Sequence, residues 1–283
     1  MKRGHAADVD GLAFPMIRPL SLLVCLQILP FFPCLAQEVT LPPKDRFHLY
    51  LLVGQSNMAG RGEVTPEDQK PHARVLSFGK SDTWAPATEP LHWDKPAAGV
   101  GPGLAFGREI MRANPKIAVG LIPCAVGGSP IDAWQPGVYY TPTKSHPWDD
   151  AIRRAKLALK DGTLKGILWH QGESDCKTEL ASAYEPKLHD LIKRLRTALQ
   201  APDVPFIVGQ MGKFPSKPWS PGAELVDQAH RSLPKKVAGT AYVGSEGLTD
   251  KGDGIHFDAA SYRELGRRYA EAWQQLQRRS GSP

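Results

Sequence analysis

From residue 47 onward, short apolar runs alternate with longer segments of helical periodicity, and this alternation restricts the fold more than any other feature of the chain. Strand-like runs fall at 47–53 (FHLYLLV), 117–122 (IAVGLI), 165–169 (KGILW), 204–210 (VPFIVGQ) and 240–243 (TAYV), with a weaker one at 74–78 (RVLSF). Helical patterns lie between them at about 103–113, 147–160, 180–200 and 222–233, and a last one at about 258–278. In the third helical pattern Leu188, Leu191, Ile192, Leu195 and Leu199 recur at helical spacing, with Lys193, Arg194 and Arg196 opposite. The last aligns Tyr262, Leu265, Tyr269, Trp273 and Leu276 on one stripe. Apolar strands linked by helices pair in parallel, and a parallel sheet must be covered on both faces. The expected fold is therefore α/β, a three-layer α/β/α sandwich around a central parallel sheet of about five strands. With 283 residues, 41% hydrophobic and 23% charged, the chain suits one globular domain with a sizeable core, expected over 37–283.

The first 36 residues read differently. Leu20 to Leu35 (LSLLVCLQILPFFPCL) is apolar, follows Arg18, and ends in Cys34-Leu35-Ala36, small residues at the positions a signal peptidase reads. Pro30 and Pro33 interrupt it, and it falls short of the roughly 20 residues a spanning helix needs. The expectation is a signal peptide over 1–36 and an exported chain with no stable membrane span. Residues 1–15 are polar for a leader, so Met16 is the favoured start. Cleavage would remove Lys2, Arg3, Arg18, Asp8 and Asp10, taking the formal charge from +6 to +5. Arg263, Arg267, Arg268, Arg278 and Arg279 place much of that excess on the last helix, as a solvated face would. No basic stripe is interleaved with aromatics, so nucleic acid is not an expected partner. The retained Cys124 and Cys176 each follow a predicted strand and could pair. Two separate buried thiols is the favoured reading. Neither has metal-ligand spacing to histidine, and no metal site is expected.

In open parallel sheets, binding and catalysis gather beyond the carboxyl ends of the strands. Four polar clusters fall there: Gln55-Ser56-Asn57, Ala125-Val126-Gly127-Gly128-Ser129, His170-Gln171-Gly172-Glu173-Ser174-Asp175 and the Asp253–His256 segment. Taken alone, Gly54-Gln55-Ser56 is a strand ending in a polar turn as readily as a nucleophile. Serine becomes a nucleophile only when a base takes its proton and an acid holds that base in one tautomer. His256 can be the base and Asp253 the acid, with Asp250 as competitor for the acid. A carboxylate here would also suit the entrance of the helix beginning near Asp258. Oxyanion donors could come from the Ser56 N–H, an N–H of the Gly127-Gly128 turn, and the Gln171 side-chain amide. The segment lacks the second glycine of Gly-x-Ser-x-Gly, and no Gly-x-x-x-x-Gly-Lys-Ser/Thr is present.

Together, GQSNM, AVGGSP, WHQGESD and DGIHF resemble the SGNH-hydrolase superfamily, and more narrowly its sialate O-acetylesterase-like branch, carbohydrate esterase family 6, which includes acetyl xylan esterases. The resemblance covers residues 47 to about 275. It implies Ser56 as nucleophile, Asp253 and His256 as acid and base, and Gln171 as side-chain oxyanion donor, where many other SGNH enzymes carry asparagine. The second-block glycine is Gly127 or Gly128, with Gly127 preferred. Glu173, and Asn57 beside the nucleophile, are expected in support, Glu173 by holding the site loops or by assisting His256. The implied chemistry requires no metal or organic cofactor.

The resulting expectation is a serine esterase that removes O-acetyl groups from carbohydrates through an acetyl-enzyme on Ser56, with an acetylated carbohydrate as its partner. Lipase or aryl esterase activity on other esters is the alternative within the superfamily. A catalytically silent glycan-binding module is a third. Trp134, after the Gly128-Ser129-Pro130 turn, is the candidate sugar platform, ahead of Tyr139, Tyr140 and Trp219; for each, packing is the ordinary explanation.

Overall fold

The computed structural model describes residues 39–280, so the expected leader, the proposed start at Met16 and the predicted cleavage point lie outside the described residues. Seven strands form one sheet in the order β3-β2-β4-β1-β5-β6-β7. They are β1 (Phe47–Gly54), β2 (Val75–Phe78), β3 (Trp84–Pro86), β4 (Ala118–Pro123), β5 (Thr163–His170), β6 (Phe206–Gly209) and β7 (Thr240–Val243). All neighbours pair in parallel except β2 with β3. The sheet thus has two more strands than the expected five. The weak run at 74–78 is a real strand, and β3, with only three residues, is too short to show a period.

Helices cover both faces: α1 (Ser56–Ala59), α2 (Pro102–Ala113), α3 (Pro147–Ala158), α4 (Thr178–Ala181), α5 (Tyr184–Ala198), α6 (Pro221–Lys236) and α7 (Ala259–Ser280). The pattern read as one helix over 180–200 is broken into α4 and α5. Strand β1 shows why a continuous apolar run was needed. Its odd residues Phe47, Leu49, Leu51 and Val53 join a core with residues of α3, α5 and α6. Its even residues Tyr50 and Leu52 join a second core with residues of α2 and α7. None of the described helices is long and apolar enough to cross a membrane.

The topology also fixes where a site can form. Strands β2 and β4 lie on one side of β1, and the chain then crosses to β5, β6 and β7 on the other. The connections diverge at β1, so a crevice opens past its carboxyl end. Gly54 terminates β1 there with φ +123°, and a Cβ at this position would stand 2.2 Å from the His170 carbonyl oxygen. Only glycine lets β1 and β5 end so close together.

Candidate active site

Immediately after Gly54, Ser56 opens the one-turn helix α1. Its Oγ lies 2.9 Å from His256 Nε2, although the two residues are 200 positions apart. His256 Nδ1 in turn lies 2.7 Å from Asp253 Oδ2. The other carboxylate oxygen, Asp253 Oδ1, accepts the backbone N–H groups of Ile255 at 2.9 Å and His256 at 2.8 Å. Burial alone would raise the Asp253 carboxyl, but the His256 backbone and ring and the Ile255 N–H outweigh it and hold it at about 2. Asp250 does not compete for the imidazole. Its Oδ2 accepts the N–H groups of Gly252 and Gly254, closing the loop that carries Asp253. Helix α7 is capped by Asp258, which accepts the Ser261 N–H at 2.7 Å, so the helix-entrance role belongs to it and not to Asp253.

Asn57 joins the loops around this chain of contacts. Its Nδ2 donates to Glu173 Oε1 at 2.5 Å and to the Ile255 carbonyl at 3.0 Å, and its Oδ1 accepts the Tyr262 hydroxyl at 2.6 Å. The serine loop, the loop after β5 and the histidine loop are thereby tied at one fully buried residue. Glu173 contacts Asn57 and makes no hydrogen bond to His256. Burial pushes its carboxyl up, and its second oxygen, Oε2, has no partner among the described residues.

Three expectations need correction. The Gln171 side chain is fully buried, and its amide nitrogen, with two hydrogens, already faces Asp175 Oδ2 at 2.5 Å, the Ser129 carbonyl at 3.1 Å and Gln55 Oε1 at 3.2 Å. Its Oε1 accepts the Tyr184 hydroxyl at 2.8 Å. In this arrangement Gln171 ties the loops together and offers no free donor to an oxyanion. Gly127 fails for a similar reason: its N–H donates to Asp94 Oδ2 at 2.8 Å. Its neighbour Gly128, at φ +81°, has an N–H with no acceptor among the described residues, as does Ser56. Trp134 is no sugar platform. It is fully buried, edge-on to Trp169 at 5.2 Å, with its indole N–H on Ser129 Oγ.

Trp219 is better placed, in a cleft of about 270 Å³ lined also by Glu173, Met211, Gly254 and Ile255, beside the histidine loop. Tyr139 is exposed, and Tyr140 donates its hydroxyl to the Gly128 carbonyl. Cys124 and Cys176 are separate free thiols, as favoured, although each residue is only partly buried, and desolvation of the sulfur pushes them up to about 11 and about 12. Sequence reading missed Asp94, whose partners are 33 residues away on either side: the Gly127 N–H and the guanidinium of Arg61, at 2.6 Å. Nothing in the run Trp93-Asp94-Lys95 marks it.

Residues 46–275 match the family described as carbohydrate esterase, sialic acid-specific acetylesterase. The chain belongs to this family. A probable carbohydrate esterase of Arabidopsis thaliana is 30% identical over 255 residues, spanning 82% of this chain and 91% of that protein. The X-ray structure of the Arabidopsis protein superposes with TM-score 0.72 over 83% of this chain and 99% of its own. NanS, at 20% identity and TM-score 0.68, covers 84% of this chain and 100% of its own. A carbohydrate acetylesterase of Xanthomonas citri, at 19% identity and TM-score 0.63, covers 81% and 56%. These last two share the fold. Membership in this esterase family makes the protein a carboxylic ester hydrolase acting on acetyl esters of carbohydrates.

Proposed function

We propose that deacetylation proceeds through Ser56 as a covalent nucleophile. The 2.9 Å contact between Ser56 Oγ and His256 Nε2, backed by Asp253, carries this reading. Neutral His256 removes the Ser56 proton as Oγ attacks the acetyl carbonyl. The carbonyl oxygen gathers negative charge and is met by the N–H groups of Ser56 and Gly128, each worth about 3 to 4 kcal/mol in the transition state. His256 then returns the proton to the departing sugar oxygen, leaving acetyl-Ser56 and a free sugar hydroxyl. Water, deprotonated by the same imidazole, attacks the acetyl group and releases acetate. Asp253, charged throughout, keeps the Nδ1 proton in place and stabilises the imidazolium between steps.

Lys95 stands beside Gly128 with no carboxylate partner among the described residues. A cation there suits a substrate that carries a carboxylate near its acetyl ester, as a sialic acid does. Residues 1–36 are proposed to act as a leader removed on export, which a mature N-terminus at Gln37 would establish.

The decisive experiment is Ser56→Ala. The variant should keep its circular dichroism spectrum, release no acetate from acetylated sugars, and escape labelling by a fluorophosphonate that modifies the parent protein at Ser56. A folded variant with full turnover would remove Ser56 from the mechanism.

A further inference from the structure

Two N–H groups stabilise one oxyanion only if they converge, and here they come from different loops: Ser56 follows β1 and Gly128 follows β4. The loops start side by side, because the Val126 N–H donates to the Gly54 carbonyl at 2.9 Å. From Val126 the chain turns back on itself. The Ser129 N–H reaches the Val126 carbonyl at 3.2 Å, and Gly128 takes φ +81°, as the third residue of a type II turn does. The Gly128 N–H therefore belongs to the middle peptide of this turn.

The peptides on either side of it are both tied down. Asp94 holds the one before, through the Gly127 N–H. The one after is held by its carbonyl: Gly128 O accepts the Tyr140 hydroxyl at 2.7 Å and the Ser174 hydroxyl at 2.8 Å, which occupies both of its lone pairs. Ser174 makes a second link. Its backbone N–H approaches Gln55 Oε1 at 3.4 Å, and Gln55 is the buried residue that precedes the nucleophile. One residue of the loop after β5 thus touches both loops that supply an oxyanion donor. Tyr140 reaches the same carbonyl from the segment before α3, where its backbone N–H is itself fixed on the Ser145 carbonyl at 2.8 Å. Two successive glycines leave a turn free to reorient, so contacts from outside it must set its direction.

We propose that Ser174 and Tyr140 are positioning residues for the oxyanion site. They act through the Gly128 peptide and keep its N–H converged with that of Ser56 on the oxygen of the attacked acetyl group. These roles rest on the covalent mechanism above, with Gly128 as one of its two donors.

The charged transition state gains from this geometry and the neutral substrate does not, so the loss should fall on kcat. Ser174→Ala and Tyr140→Phe each leave one hydroxyl on the carbonyl and should each lower kcat about three- to tenfold. The double variant should lose about 10²-fold or more, approaching the loss of a whole donor. KM for an acetylated sugar should stay within about twofold in all three. Trifluoroacetone gives a second readout. Ser56 Oγ adds to its carbonyl carbon, the serine proton passes to His256, and the carbonyl oxygen becomes a bound oxyanion. Its inhibition constant should rise by about the factor by which kcat falls, a change that lowered stability alone would not produce in the folded enzyme. Should the double variant not fold, the single variants are read the same way. Values of kcat and trifluoroacetone affinity within about twofold of the parent, or a loss confined to KM, overturn the proposal and leave the covalent mechanism standing. Full turnover by Ser56→Ala would instead remove that mechanism.

Discussion

Asp94 Oδ2 accepts the Gly127 N–H at 2.8 Å while pairing with the buried guanidinium of Arg61 at 2.6 Å. One carboxylate thus holds the turn whose next residue, Gly128, presents an open N–H. Asp94→Ala leaves Arg61 buried without its partner, a loss of about 3 to 5 kcal/mol in unfolding free energy. Urea denaturation measures it, and a variant as stable as the parent would contradict the role given to Asp94.

The two aspartates of the histidine loop should separate cleanly. Asp253→Asn removes the carboxylate bonded to His256 Nδ1 and should lower kcat by about 10³- to 10⁴-fold. Asp250→Asn touches only the glycine N–H groups of the loop and should cost less than about tenfold. Steady-state kinetics of both variants decide the matter; the reverse order would exchange their roles.

Acid should weaken the fold through Asp253. The Asp253 carboxyl is held at about 2, below the ordinary carboxylate value near 3.9, so its contribution to stability is present above that ordinary value and is lost as pH falls toward 2. Activity is expected to fall over the same range, because protonating Asp253 removes the carboxylate that holds His256 Nδ1. An unfolding free energy independent of pH from about 4 down to about 2 would contradict this.

Trp134 packs between the turn after β4 and Trp169 and is fully buried. Trp134→Ala should lower stability by about 3 to 5 kcal/mol through the cavity it leaves. The folded fraction should keep its KM for acetylated sugars within about twofold. A large rise in KM at unchanged stability would restore Trp134 as a substrate platform.

Much of this protein is written locally. The apolar runs and helical patterns placed six of the seven strands, β2 only weakly, and most helices, because burial on two faces of a sheet leaves continuous apolar runs such as 47–53. The short motifs placed Ser56, Asp253 and His256 on loops at one rim, and the tertiary fold brings the three side chains within 3 Å of one another in sequence. Strand β3 escaped because three residues cannot show a period.

Which groups face the crevice was decided by contacts between distant segments. Gln171 looked like a donor until Asp175, Ser129 and Gln55 took up its amide; Gly127 looked equivalent to Gly128 until Asp94, 33 residues earlier, closed off its N–H. Trp134 and Trp93 are the same residue type, yet one is sealed in the core and the other borders a cavity. The amino-acid sequence by itself determined the sheet, the rim and the chemical groups brought to it, since these follow from periodicity and residue type. Only the tertiary structure decided which of those groups remain open, because a hydrogen bond or a packing contact is allotted by neighbours that the chain order does not reveal.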